Sequence, residues 1–191
     1  MAEQLQKHIE KFIKINEQEF AGILGFCKPI SVKKKQNLLV EGKVCNENYF
    51  VVKGCLRLFF IDEKGVEQTI QFALENWWLA DYTSFSKQDP SGFYIQAVEN
   101  SELLSLTLSA QETMLREFPL MERYFRLIHQ RAHAAAQFRT RYWYDLSREE
   151  YYRHFILLYP EFAQRIPQYL LASFLGFTPE YLSKIRSKRI S

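Results

Sequence analysis

The stretch IPQYLLASFLGFTPEYLSKIR, residues 166–186, constrains the fold of this 191-residue chain more than any other part. Counted from Gln168, its fifth residue is the small Ala172 and its ninth is Gly176. Two helices cross closely at the fifth position of a helix-turn-helix, and the ninth turns the chain with a positive φ, which costs glycine least. Apolar residues occupy the positions of the shared core: Leu171, Leu175, Phe177, Leu182 and Ile185. The pattern therefore predicts a helix-turn-helix.

The second helix of this motif is predicted to begin at Pro179. Thr178 can cap the free N–H groups, and a proline at the first helical position costs nothing because that N–H has no partner. Such a helix can contact bases and phosphates in a DNA major groove. The residues expected to do so are Thr178, Pro179, Glu180, Tyr181, Ser183, Lys184, Arg186 and Lys188.

Positive charge is concentrated in this part of the chain. From residue 162 onward, five basic residues stand against one acidic residue, a net +4, whereas the whole chain carries only +3. We expect Lys184 to donate to a base or a phosphate, and Glu180 to accept from a cytosine amine. Contacts to the DNA backbone are expected from Thr178, Ser183, Arg186 and Lys188.

The composition is that of an ordinary soluble protein, with 47% hydrophobic and 25% charged residues. No apolar run approaches the roughly 18 residues of a membrane span. The N-terminal sequence MAEQLQKHIEKF mixes charges with apolar residues, unlike a signal peptide. We therefore expect a cytoplasmic protein with no membrane partner.

The cysteines and histidines indicate neither a metal site nor a cofactor. Cys27, Cys45 and Cys55 match no Cys-x-x-Cys spacing, so no disulfide framework, zinc site or iron–sulfur site is predicted. His129 and His133 lie four apart on a predicted helix, but no acidic residue accompanies them as in a metalloprotease motif. A cupin enzyme would need histidines on its strands, and the middle of the chain has none.

The order of elements divides the chain into a β-rich part and a helical part. Residues 3–26 have helical spacing that breaks near residue 15, which predicts two short helices. Short β-prone runs separated by turn residues then predict a sandwich or barrel, of which the jelly roll is one form. These runs are residues 38–40, 49–52, 56–61, 66–72, 93–98 and 102–108.

From residue 109 the helical period returns, with a short helix to residue 118 and a long one after Pro119. Spacings of three, four and seven place apolar residues along one seam of the long helix: Leu120, Tyr124, Leu127, Ala134 and Phe138. This seam either joins two copies of the chain or packs on the β domain. Ser147 and Glu150 form a capping box that predicts a further helix ending near Pro160.

Taken together, these residues resemble the Crp/Fnr family of bacterial transcription regulators. The resemblance is strongest over GKVCNENYFVVKGCLRLFFIDEKGVEQTI and RIPQYLLASFLGFTPEYLSKIR. It implies an α+β, non-enzymatic homodimer that binds double-stranded DNA, with RNA polymerase as a further partner. The implied domains are an N-terminal cyclic-nucleotide-binding-like jelly roll (1–118), a dimerisation helix and linker (119–143) and a C-terminal helix-turn-helix domain (144–191).

The chain departs from the cyclic-AMP-binding relatives at the ligand site. Ala80 and Asp81 stand where these relatives have a Gly-Glu pair, and no Arg or Lys occurs between Lys87 and Arg116 to clamp a phosphate. We therefore expect no response to cyclic AMP. The expected pocket for an unidentified apolar or aromatic effector consists of Trp77, Trp78, Asp81 and Tyr82, although the tryptophans are equally suited to the β-roll core.

The DNA-binding end departs from the family as well. Pro179, Glu180 and Lys184 occupy the three positions that commonly contact bases in the family. One of the basic residues that contact bases is therefore missing, and the preferred DNA sequence should differ. Only three residues follow Lys188, so no β wing is expected. The alternative function is a cyclic-nucleotide-binding-like sensory or protein-interaction module that has lost DNA binding.

Overall fold

The computed structural model describes residues 1–187 and contains two antiparallel four-stranded sheets. The first sheet has the strand order β1-β8-β3-β6 and the second β2-β7-β4-β5. The predicted β-sandwich is thereby confirmed. The strands are β1 (Lys28–Val32), β2 (Asn37–Leu39), β3 (Glu47–Lys53), β4 (Leu56–Ile61), β5 (Glu67–Ala73), β6 (Trp78–Leu79), β7 (Tyr94–Ala97) and β8 (Ser101–Thr107).

Helices precede and follow the sandwich, and the capping residues set several of their starts. Asn16 with Glu19, and Ser147 with Glu150, form capping boxes at the starts of α2 and α6. The helices are α1 (Ala2–Glu10), α2 (Glu17–Gly25), α3 (Tyr82–Lys87), α4 (Leu108–Glu117), α5 (Leu120–Asp145), α6 (Arg148–Leu158), α7 (Pro160–Arg165), α8 (Gln168–Leu175) and α9 (Pro179–Ser187).

Strand alternation gives the first sheet two apolar faces. In β3, Tyr49 and Val51 point into the core between the sheets, whereas Phe50 and Val52 point to the opposite side. The inter-sheet core also contains Leu58 from β4. The outer face is covered by α1, α2, α4 and the start of α5, so this sheet is buried on both sides.

The long helix α5 uses its first half to cover this sheet, which corrects one predicted seam residue. Tyr124 is fully buried, and its hydroxyl accepts a 2.8 Å hydrogen bond from Trp78 Nε1. It lies four residues after Leu120, about 40° further around the helix, enough to turn its side chain into the core. Leu120 and Phe138 remain 47% and 56% exposed. The prediction that Tyr124 belongs to an intermolecular seam was therefore wrong.

A third apolar cluster joins the C-terminal helices to the sandwich. It contains Tyr151 and Phe155 of α6 together with Cys55 and Val98 of the β-rich part. The predicted domains are thus in direct contact, although the exact boundaries remain a prediction. Among residues 1–187, no helix is long and apolar enough to cross a membrane.

The three cysteines are buried free thiols. Burial raises the pKa of Cys27 to about 11 and that of Cys55 to about 12. Both thiols therefore stay protonated near neutral pH and are poor nucleophiles. Within the described residues, no cluster of three or more His, Cys, Asp or Glu side chains is arranged to hold a metal ion.

Candidate nucleic-acid interface

Helices α8 and α9 form the helix-turn-helix that the sequence pattern predicts. Leu171, Ala172 and Leu175 of α8 are fully buried, and Leu182 and Ile185 of α9 are 1% and 6% exposed. These five residues of the pattern therefore belong to the core between the two helices. A larger residue than Ala172 would push the helices apart, because the site has no free space.

The turn between these helices requires glycine for two reasons. Gly176 has φ 72° and ψ 32°, in the left-handed region that an L side chain enters at a cost. A Cβ atom at Gly176 would also lie 2.2 Å from the ring of Trp143, near the end of α5. The long helix thus packs directly on the turn that orients α9.

The start of α9 is capped as expected. The N–H of Tyr181 donates a 3.2 Å hydrogen bond to Thr178 Oγ1, and the N–H of Leu182 donates to the Thr178 carbonyl at 3.1 Å. Pro179 is the first residue of the helix. The predicted helix start is confirmed, and Thr178 holds the end of the helix that would enter a groove first.

The outer face of α9 is polar and accessible to a partner. Its exposed residues are Pro179, Glu180, Ser183, Lys184 and Arg186, together with the capping Thr178. Tyr181 is half-buried, with its ring 5.6 Å from that of Phe177. Lys188, also predicted to bind DNA, lies outside the described residues.

Two arginines change the charge distribution expected from the sequence. Arg165 makes ion pairs with Glu75, at 2.7 Å, and with Glu99, so it faces the sandwich rather than a DNA backbone. Arg148 of α6, which sequence reasoning missed, lies 5.7 Å from the ring of Tyr181 and brings a cation to the start of α9. No local pattern could have revealed it, because the two residues are 33 positions apart.

The Arg165 ion pairs are strong enough to shift the pKa of Glu75. Burial alone would favour the protonated form of Glu75, but hydrogen bonds from Arg165 and from the Gly54 N–H lower its pKa to about 2. The pKa of Arg165 is raised by the hydrogen bonds to Glu75 and Glu99. Glu75 and Arg165 therefore stay ionised at neutral pH, and the pair joins α7 to the sandwich.

Ser173 of α8 makes a second connection, to the edge strand β5. The N–H of Thr69 donates to Ser173 Oγ at 2.8 Å, and Ser173 Oγ donates to the Glu67 carbonyl at 2.8 Å. The hydroxyl therefore satisfies a donor and an acceptor that an edge strand would otherwise expose. This role carries no sequence signal, since Ser173 falls at an ordinary helical position.

Asp81, which stands at the position of the Gly-Glu pair expected from the resemblance, is a buried carboxylate. Asp81 Oδ1 caps α3 by accepting from the N–H groups of Thr83 and Ser84, at 3.1 and 3.3 Å. Ser91 Oγ donates to Asp81 Oδ2 at 2.7 Å. A cyclic phosphate beside this pair would meet a carboxylate, and the stretch between Lys87 and Arg116 supplies no lysine or arginine to neutralise it, which is unfavourable in a buried site.

The four residues of the predicted effector pocket do not line one cavity. Trp78 is packed against Phe50 and Phe125 in the helix-covered core, and Asp81 is the cap just described. The ring of Tyr82 contacts that of His129, at 4.7 Å between centroids. Trp77 alone of the four lines the groove between the sandwich and the C-terminal helices. Trp78 therefore has the alternative role considered for it, which is to fill the core.

Known proteins are similar to this chain in sequence or in fold. Residues 29–118 match the family model of the cyclic nucleotide-binding domain. FixK2 from Bradyrhizobium japonicum is 16% identical with a TM-score of 0.70, over 85% of this chain and 83% of that one. The c-di-GMP responsive global regulator CLP of Xanthomonas campestris is 13% identical with a TM-score of 0.72, over 91% of each chain.

The catabolite activator protein of Thermus thermophilus is also similar, with 19% identity and a TM-score of 0.56 over 91% of this chain and 83% of that one. No curated protein matches the sequence of the chain. Residues 29–118 are thus similar to a cyclic nucleotide-binding domain. This domain and the C-terminal helices together have the fold of the Crp/Fnr regulators, so the resemblance is confirmed at the level of fold.

Proposed function

We propose that the protein is a non-enzymatic transcription regulator of the Crp/Fnr type that binds operator DNA as a homodimer. The observation that carries this proposal is the exposed polar face of α9, which the capped and tightly packed helix-turn-helix holds outward. In the regulators that share this motif, the second helix enters the major groove. The proposed site of action is the cytoplasm, where bacterial DNA lies.

The contacts to DNA follow from residue chemistry. Lys184 donates to a base edge or a phosphate, and Glu180 accepts from a cytosine amine. Thr178, Ser183, Arg186 and Lys188 contact the sugar-phosphate backbone. Arg148 adds a further phosphate contact because its guanidinium lies beside Tyr181 at the start of the helix.

Dimerisation is proposed through the exposed stripe of α5. Leu120 and Phe138 are large apolar residues left in solvent, and Leu127 and Ala134 lie on the same side of the helix. Burying this stripe against a second copy removes apolar area from water. A two-fold dimer then presents two α9 helices to half-sites about one helical turn, roughly 34 Å, apart.

The proposed regulator does not respond to cyclic AMP. Ser91 is hydrogen-bonded to the buried carboxylate of Asp81, and no lysine or arginine occurs between Lys87 and Arg116 to pair with a phosphate. Calorimetric titration with cyclic AMP and cyclic GMP is expected to give no binding in the micromolar range. Micromolar binding of either nucleotide would overturn this part of the proposal.

Selection of bound DNA from a random pool tests the proposed function. We expect enrichment of a short inverted repeat, because a two-fold dimer reads the same half-site twice. RNA polymerase recruitment can then be examined on a promoter carrying that site. Failure to enrich any sequence, with the protein folded and dimeric, would favour the alternative of a sensory or protein-interaction module.

A further inference from the structure

An interdomain groove of about 600 Å³ separates part of the sandwich from the C-terminal helices. Its α5 wall contains the small residues Ala132, Ala135 and Ala136, which leave space between the elements. This volume lies within the range of about 300–1,000 Å³ found for small-molecule sites. Aromatic residues complete the lining, two of them from α5 itself: Phe72, Trp77, Phe138, Tyr142, Phe155, Phe162 and Phe174.

Arg139 of α5 brings a positive charge into this apolar groove. One of its N–H groups donates to the Ile70 carbonyl at 2.5 Å, and its guanidinium carbon lies 5.0 Å from the centroid of the Phe174 ring. Among residues 1–187, no carboxylate lies within ion-pair distance of Arg139. Its remaining N–H groups can therefore bind an external anion.

His154 adds a second polar group to the groove lining. Its Nε2 atom is buried and has no hydrogen-bond partner, while its ring lies 4.5 Å from that of Tyr142. A buried polar atom without a partner costs free energy that a correctly placed ligand atom would recover. The groove thus combines an aromatic lining with a cation that has no carboxylate partner among the described residues and a buried nitrogen without a hydrogen bond.

We propose that the interdomain groove binds an organic anion with an apolar or aromatic body. The body packs against the aromatic rings, and the anionic head bonds to Arg139 with His154 nearby. The walls come from β5 and α5 on one side and from α6 and α8 on the other, so the ligand contacts both parts of the protein. This binding does not depend on the proposed DNA contacts.

A dimer formed through α5 would bring a second copy beside this groove, because Phe138 belongs both to the proposed dimer stripe and to the groove lining. Leu127 and Ala134 of the proposed dimer stripe lie about a third of a turn around the helix from Arg139. The groove instead continues the inner face of α5, whose first half packs on the sandwich through Met121 and Phe125. A second copy on the stripe therefore borders the groove at Phe138, on a different face of the helix from Arg139.

Calorimetry with 2-naphthoate and dodecanoate tests the proposal, with 2-naphthamide as a neutral analogue of the first probe. We expect one site per chain for at least one of the two anions. Loss of the charge from either partner should weaken binding roughly tenfold or more, as for other charge-assisted hydrogen bonds. The affinity of naphthamide for the wild type and the affinity of naphthoate for Arg139→Met should both be lower by this factor.

Two further variants separate binding at the groove from general effects. Arg141→Gln removes an exposed cation two residues away that pairs with Asp145, and it should leave affinity within about twofold. Ala135→Trp keeps Arg139 but fills the groove, and it should abolish binding while thermal unfolding confirms a folded protein. Absence of binding by both anions, equal affinity for naphthoate and naphthamide, or unchanged affinity in Ala135→Trp would each overturn the proposal.

Discussion

Lowering the pH is expected to destabilise the protein through His8. This residue is 9% exposed, and its Nδ1 lies 2.8 Å from the Tyr124 hydroxyl. Trp78 Nε1 can only donate, so Tyr124 accepts from Trp78 and keeps its own proton available for His8. A neutral His8 with an unprotonated Nδ1 accepts a hydrogen bond through that proton. Burial, followed by the charges of Lys11 and Arg131, lowers the pKa of His8 to about 4.

The magnitude follows from the difference between the folded and unfolded pKa values. An unfolded histidine titrates near 6.5, so above that pH His8 is neutral in both states and its contribution to stability is fully present. As the pH falls from 6.5 towards 4, only the unfolded chain gains a proton, and the free energy of unfolding falls. The expected loss is about 2 kcal/mol between pH 7.5 and pH 5.

Urea unfolding of wild type and His8→Asn at the two pH values measures this loss. Asparagine places its Oδ1 near the position of Nδ1, so the variant keeps an acceptor for Tyr124 but cannot titrate. Other groups, including His129, whose pKa burial also lowers, titrate in both proteins and cancel in the comparison. Equal pH dependence of the two proteins would refute the neutral, buried state of His8.

Two further substitutions test packing and assembly. Gly176→Ala should lower the free energy of unfolding by about 2 kcal/mol or more, because it adds left-handed strain and a clash with Trp143. A denaturant titration measures this loss, and an unchanged midpoint would contradict the prediction. Leu127→Lys should shift the protein from dimer to monomer in sedimentation and abolish binding to a palindromic site, while circular dichroism shows an intact fold. A monomeric wild type at micromolar concentration, or a dimeric variant with normal binding, would contradict the proposed stripe.

The accuracy of the sequence-based predictions depended on how local each signal was. The helix-turn-helix was predictable because its spacing, its glycine and its cap all lie within one short segment. β1 and β6 were missed: β1 has mostly exposed residues, and β6 spans only Trp78–Leu79. Tyr124 was misassigned because spacings of three and four are shared by neighbouring faces of one helix.

The contacts that join the two parts of the chain had no sequence signal. Ser173, Arg165 and Arg148 each find their partners across long sequence separations, and their positions follow from how the C-terminal helices pack on the sandwich. The sequence excess of basic residues also overstated the charge available to DNA, because Glu75 and Glu99 neutralise Arg165. Such pairings depend on tertiary structure, which a linear pattern does not contain.

The most direct test of the central claim is fluorescence anisotropy of the selected DNA site across a salt series. Lys184→Ala should weaken binding roughly tenfold or more and relax the preference at one base position. Lys188→Ala should weaken binding to all sequences alike and reduce the slope of log K against log salt by about one. Lys14→Ala, between α1 and α2, is the matched control and should bind as wild type. If Lys184→Ala and Lys188→Ala both bound as tightly as Lys14→Ala at every salt concentration, α9 would not be the DNA-reading helix.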